Sequence, residues 1–246
     1  MNRIALMVLK NIHRIPGLYS KLCRHAKNPD AYPEQERWDH ISRIMQLAVG
    51  SGNIDLTVTG VADLPKEGGF LMYANHQGMF DVVALAATCP IPLGCVFKQE
   101  LADVPLLKQI LLSTKSFAMD RQDVRQALEV MQKVIREVQS GRNYLIFPEG
   151  TRSKEGNVMG SFHGGSFRCA LKAKCPIVPV AVIDSFKVLD RKGSKPVGVQ
   201  LHYLAPIAYG EYKDLKSPEV AQLVKSRIQN CIDRNVLPNP SDETQN

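Results

Sequence analysis

The sequence predicts an α/β fold: a largely parallel mixed central sheet flanked by helices and preceded by an N-terminal helical segment. Three observations carry this. Short apolar runs at residues 70–73, 144–147 and 177–183 have the length and bounding turns of buried strands. Between such runs lie stretches with apolar residues at helical spacing. The clearest is 122–139, where Val124, Leu128, Met131, Ile135 and Val138 share a face. Strands that alternate with helices in this way build a sheet whose strands run mostly in one direction.

The elements follow in order. Residues 1–27 hold Arg3, Lys10, Arg14, Lys21, Arg24 and Lys27, with no acidic residue before Asp30. Ile4, Met7, Val8, Ile12 and Ile15 are spaced along one helical face between those cations. Pro16-Gly17 and Asn28-Pro29 read as breaks. A helix over 35–49 follows, with Trp38, Ile41, Ile44, Met45 and Ala48 on one side. Gly50-Ser51-Gly52-Asn53 then reads as a linker, separating an amphipathic segment (1–50) from an α/β domain (51–246).

Within that domain strands are expected at 54–58, 70–73, 93–97, 116–119, 144–147, 177–183 and 197–204. Helices are expected at 81–88, 105–112, 122–139, 167–174 and 218–234. Asp81 stands near the N-cap of the first of these and Gly141 ends the third. The last dozen residues form a polar tail.

Charge and composition narrow the function. A net charge of +7 points to an anionic partner: nucleic acid, an anionic membrane or a phosphorylated substrate. A nucleic-acid binder would interleave cations with aromatics, yet residues 1–27 offer only Tyr19, which argues against it. The longest apolar run there, 4–9, is far short of the roughly 20 residues a spanning helix needs. A cationic amphipathic segment that cannot span lies instead in the headgroup plane of an anionic bilayer, so residues 1–27 are expected to associate with a membrane.

Six scattered cysteines without a C-x-x-C read as free thiols, with neither a zinc site nor a disulfide framework. No Walker motif or G-x-G-x-x-G is present, and no cofactor is expected. No serine has glycines at both −2 and +2, which argues against a serine hydrolase.

The most informative stretch is Asn75-His76-Gln77-Gly78-Met79-Phe80-Asp81, directly after an apolar strand. On a straight helix residues five apart diverge by about 140°. His76 and Asp81 meet only if the chain turns between them, as at a strand-to-helix junction. There Asp81 can hold Nδ1–H and leave Nε2 to take a proton. With no Ser or Cys nucleophile in the segment, such a base acts on a substrate hydroxyl. His25 and Asp30 share the spacing, but they lie across Asn28-Pro29 without a preceding strand and read as a surface loop. A second loop, Phe147-Pro148-Glu149-Gly150-Thr151-Arg152-Ser153, leaves the carboxyl end of a buried strand, where α/β sheets bind ligands. Arg152 can fork onto a phosphate and Glu149 can bind a hydroxyl. The plainer alternative is a turn closed by an internal Glu–Arg contact.

Four blocks in order resemble the 1-acyl-sn-glycerol-3-phosphate (lysophosphatidic acid) acyltransferases over residues 54–205. They are Asn75-His76-x4-Asp81, then 117–121 (Phe-Ala-Met-Asp-Arg), then 147–153, then 177–181 (Ile-Val-Pro-Val-Ala). Lys98-x-Glu100-Leu101 matches a further element. The resemblance implies His76 as catalytic base with Asp81 orienting it, and Lys98, Arg121 and Arg152 as ligands of the acceptor's phosphate. It implies Glu149, Gly150 and Thr151 as part of the acceptor site. It further implies acyl-CoA or acyl-carrier protein as donor, lysophosphatidic acid as acceptor, and work at the cytoplasmic face of the cell membrane. Glycerol 3-phosphate or another lysolipid is the alternative acceptor, and a peripheral lipid-binding module the non-enzymatic alternative. The chain departs from the family pattern at two positions: Gly78 stands where Ser is frequent, and His163 where Lys is frequent.

Overall fold

The computed structural model describes residues 2–120, 122–191 and 193–236. Seven strands form one sheet: β1 (Ile54–Thr59), β2 (Leu71–Ala74), β3 (Gly94–Lys98), β4 (Phe117–Met119), β5 (Tyr144–Ile146), β6 (Ile177–Ile183) and β7 (Val197–Tyr203). Their order is β1-β7-β6-β2-β5-β3-β4. Strands β2 to β6 are mutually parallel, whereas β7 pairs antiparallel with β6 and carries β1 parallel to itself. The sheet is therefore mixed and largely parallel. The carboxyl ends of β2, β3, β4, β5 and β6 share one rim.

The helices are α1 (Arg3–Asn11), α2 (Ile15–Lys27), α3 (Glu34–Ser51), α4 (Phe80–Thr88), α5 (Leu107–Ser113), α6 (Val124–Gln139) and α7 (Gly164–Ala173). After β6 come α8 (Phe186–Leu189), α9 (Tyr209–Tyr212) and α10 (Ser217–Asn235). Alternation along β2 sorts the two faces. Leu71 and Tyr73 pack with Val134 and Val138 of α6, Phe167 of α7 and Val224 and Ile228 of α10. Met72 and Ala74 pack with Leu22 of α2, Trp38 and Ile41 of α3 and Leu85 of α4. Each fully buried Leu, Ile or Phe contributes about 1.5–3 kcal/mol. Both faces being covered explains why β6 reads as an unbroken apolar run.

Several boundaries differ from expectation. Pro16 is no break: it sits in the first turn of α2, where its missing N–H costs nothing, and the chain turns at 12–14 instead. The expected linker is half helix, because α3 continues through Ser51. The N-terminal basic face also loses one member. Arg3 is buried, donating to the carbonyls of Val188 (3.0 Å), Gly52 (2.5 Å), Asn53 (3.2 Å) and Lys195 (2.8 Å). Met7 turns inward against Gly52. The outward stripe is Ile4, Val8, Ile12, Ile15 and Tyr19, with Leu9 beside it. Since Val188 and Lys195 lie between β6 and β7, the Arg3 anchor fixes the start of α1 at the rim where the parallel strands end. Among the described residues no helix is long and apolar enough to cross a membrane.

Candidate active site

His76 leaves the carboxyl end of β2, and the turn expected from its spacing with Asp81 is present. Asn75 makes that turn possible. Its side chain donates to the Val182 carbonyl and accepts from the Val182 N–H, both at 2.8 Å, so the end of β2 is clamped to β6. Nδ1 of His76 then lies 2.6 Å from Oδ2 of Asp81. The same oxygen accepts from the backbone N–H groups of Gln77 (2.7 Å) and Gly78 (3.1 Å). Asp81 is fully buried while His76 keeps about one-fifth of its side chain exposed. The imidazole stacks on Phe147, ring centroids 4.1 Å apart. A buried carboxylate that only accepts hydrogen bonds places the imidazole proton on Nδ1 and leaves the Nε2 lone pair free.

Sequence reasoning missed what holds Asp81 on its other side. The Ser185 hydroxyl donates to Oδ1 of Asp81, and the Ser185 N–H donates to Oε1 of Gln77 at 3.0 Å. Gln77 in turn donates to Asn157 (2.7 Å), which donates to Asp184 (2.9 Å). Asp184 and Ser185 directly follow β6, so the rule that ligands gather beyond strand carboxyl ends, applied to Ile183, would have flagged them.

Glu149 is not directed outward. It is buried, with Oε1 accepting from the His76 N–H and Oε2 from the Gly160 N–H, each at 2.8 Å. Its carboxylate holds the backbone of the imidazole-bearing turn rather than meeting a hydroxyl or closing on Arg152. Gly150 takes φ +70°, and a Cβ there would lie 3.3 Å from His163, so it serves the sharp turn after Glu149. Beyond it the Ser153 N–H donates to the His76 carbonyl at 2.8 Å. Arg152, half exposed, pairs with Asp190 at 3.1 Å.

A cavity of about 650 Å³ opens beside this turn, lined by Gln77, Thr151, Arg152, Lys154, Phe186 and Arg191 among others. Lys98 is not part of that lining; it closes on Glu100 at 2.6 Å at the end of β3. With β5 between them, β2 and β3 are about 10 Å apart along the rim. Arg121 lies outside the described residues.

An imidazole held by a buried carboxylate on a strand rim that also carries Arg152 suits removal of a proton from a phosphate-bearing alcohol, and likeness to known proteins accords with that. Residues 55–183 match the protein family described as Acyltransferase. The chain belongs to the acyltransferase family. It is similar to the 1-acyl-sn-glycerol-3-phosphate acyltransferase of Helicobacter pylori, 28% identical over 70% of this chain and 74% of the relative. The enzyme of that name from Salmonella typhimurium is 33% identical over 61% of this chain and 62% of the relative. The crystal structure of the 1-acyl-sn-glycerophosphate acyltransferase PlsC from Thermotoga maritima shares the fold, with a TM-score of 0.75 over 97% of this chain at 19% identity. The mixed sheet and its helical layers are thus those of an acyltransferase.

Proposed function

We propose that this acyltransferase moves a fatty acyl group from a thioester, acyl-CoA or acyl-carrier protein, to the sn-2 hydroxyl of 1-acyl-sn-glycerol 3-phosphate, forming phosphatidic acid. The observation that carries the reading is the 2.6 Å contact from Nδ1 of His76 to Asp81, on a turn joined through Ser153 to the loop bearing Arg152. The names of the relatives supply the acceptor class.

In this mechanism Nε2 of His76 takes the proton of the hydroxyl as its oxygen attacks the thioester carbonyl. The tetrahedral intermediate expels the thiolate, which recovers that proton from the imidazolium. Asp81 stabilises the imidazolium between the two transfers, and general-base assistance of this kind is typically worth about 10² to 10⁴ in rate. Arg152 anchors the phosphate and aligns the hydroxyl, a proximity effect. Lys98, at the end of β3, and Arg121 complete the subsite for the acceptor's phosphate, with Gly150 and Thr151 in its wall.

The protein works as a peripheral enzyme at the cytoplasmic face of an anionic membrane. The stripe from Ile4 to Tyr19 enters the headgroup layer while Lys10, Arg14, Arg24 and Lys27, all exposed, meet the lipid charge. Exposed Met79 and Val82 next to His76 suit a rim that faces lipid.

The test is incubation of purified protein with labelled lysophosphatidate, glycerol 3-phosphate and other lysolipids, each with both donors, followed by product identification. Phosphatidate from lysophosphatidate, lost in His76→Ala with the fold retained, is the expected result. Near-wild-type turnover by His76→Ala, or vesicle binding without any transfer, would overturn the assignment.

A further inference from the structure

Gly78 and Asp190 are matched to each other across the candidate site. Gly78 lies in the turn between His76 and Asp81, and its N–H is one of the donors to Asp81. Its backbone is not in the left-handed region, so conformational freedom does not explain a glycine here. Space does. A Cβ on Gly78 would overlap Oδ2 of Asp190 and would lie 3.5 Å from its Cγ and 3.3 Å from Cα of Phe186. The Asp190 carboxylate therefore fills the volume a side chain at 78 would take. Its other oxygen, Oδ1, accepts from Nη1 of Arg152 at 3.1 Å.

We infer that Asp190 is a positioning residue for the acceptor's phosphate: seated against Gly78, it holds the Arg152 guanidinium over the cavity beside His76. The inference rests on the acyl-transfer reading above and adds a residue to it. A guanidinium has five N–H donors in a fixed fork, and the contact with Asp190 occupies one of them. The rest of the fork stays open for a phosphate. An arginine left half exposed without this partner would spread over many rotamers, and the bound phosphate would have to immobilise it. Arg152, Lys154 and Arg191 line the same cavity with Asp190 and Glu155, three cations to two carboxylates, so it remains cationic on balance. Nothing in the sequence marks Asp190, because its partners are 38 and 112 residues away.

The test is steady-state kinetics on Asp190→Ala, Asp190→Asn, Gly78→Ser and the double variant Gly78→Ser/Asp190→Ala, with lysophosphatidate and acyl donor varied separately. For Asp190→Ala the acceptor KM should rise roughly three- to tenfold, the range expected for ordering one long side chain, with kcat and donor KM nearly unchanged. Asp190→Asn keeps an oxygen for Nη1 and should recover part of the loss. Gly78→Ser should raise the acceptor KM by displacing Asp190, and removing that carboxylate in the double variant should make no further difference.

An acceptor KM that stays level or falls in Asp190→Ala overturns the inference, as does a loss confined to kcat. Effects of the two single variants that multiply in the double would also overturn it, since they would show independent sites. Should Gly78→Ser fail to fold, the surface variants Asp190→Ala and Asp190→Asn decide alone. If the wild-type protein transfers no acyl group to lysophosphatidate, it is the functional reading that fails; transfer with an indifferent Asp190 sinks only the inference.

Discussion

The Ser153 N–H donates to the His76 carbonyl across 2.8 Å, so the loop that presents Arg152 hangs from the residue that carries the imidazole. Displacing one displaces the other. Proline at 153 removes that N–H while also fixing φ there and narrowing the backbone of Arg152, whereas alanine spares the bond. Ser153→Pro should lower kcat/KM by up to about 10²-fold, the scale of a 1 Å misplacement of reacting groups. Ser153→Ala, which loses the hydroxyl's bond to the Val158 carbonyl and its acceptance from the Glu155 N–H but keeps the backbone tie, should remain close to wild type. Equal activity in both would show that the tie does not matter.

Asp81 fixes the imidazole, and Ser185 fixes Asp81. Asp81→Asn presents an amide where a carboxylate orients Nδ1–H, and turnover should drop by about 10³- to 10⁴-fold. Ser185→Ala removes one donor and should cost about tenfold, with the pH profile of kcat retained. A Ser185→Ala loss as large as that of Asp81→Asn would mean that the hydroxyl meets substrate directly.

Glu149 accepts two backbone N–H groups from inside the protein. Glu149→Gln sets an NH2 group against one of them and should lower stability by about 1–3 kcal/mol, the penalty of an unmet buried donor. Urea denaturation measures this. Unchanged stability with a higher acceptor KM would return Glu149 to the substrate.

Arg3 satisfies four carbonyls near the rim. Arg3→Ala should loosen α1 and weaken binding to anionic vesicles, and deleting the first 27 residues should weaken it further. Transfer to a short-chain acceptor in detergent should suffer less than transfer on vesicles. Equal vesicle binding by the truncated chain would remove the amphipathic stripe from the account.

His25 is fully buried between Tyr32 and His40, with ring centroids 4.6 and 5.4 Å away. Burial, then the charges of His40 and Lys21, push its pKa below the ordinary value, although Glu36 at 3.5 Å opposes them. The folded state keeps this imidazole neutral while the unfolded chain protonates it near about 6.5. Its contribution to stability is therefore present above that value and lost as pH falls through the lowered folded pKa. The urea midpoint should drop between pH 7.5 and 5.5, and less steeply in His25→Phe. Parallel slopes would place the acid sensitivity elsewhere, His202 being the other histidine lowered by burial.

What the sequence made legible was local. His76 and Asp81 lie within one turn of chain, and five residues of spacing were enough to require the junction that the fold provides. The central strands β2, β5 and β6 were legible because burial on both faces leaves continuous apolar runs. Ser185 was not, since 104 residues separate it from Asp81 and a lone serine after a strand has no pattern. Glu149 was found but turned the wrong way: proximity to Arg152 in sequence invited an outward role, whereas its bonds run to His76 and Gly160. The N-terminal apolar stripe was read one residue too wide, because Met7 turns toward Gly52, and the basic set one residue too large, because Arg3 is buried. The polar tail expected at the end of the chain lies outside the described residues from 237 onward.

The reversal of β7 against β6 carries a practical consequence. Strand β1 runs with β7, so the turn from Gly60 to Gly69 opens at the end of the molecule opposite His76. A fluorophore attached through Glu67→Cys, exposed on that turn, would ride on the water side of a vesicle-bound enzyme and stay clear of the reaction. Its quenching by water-borne iodide but not by spin-labelled lipid would report which way up the protein sits.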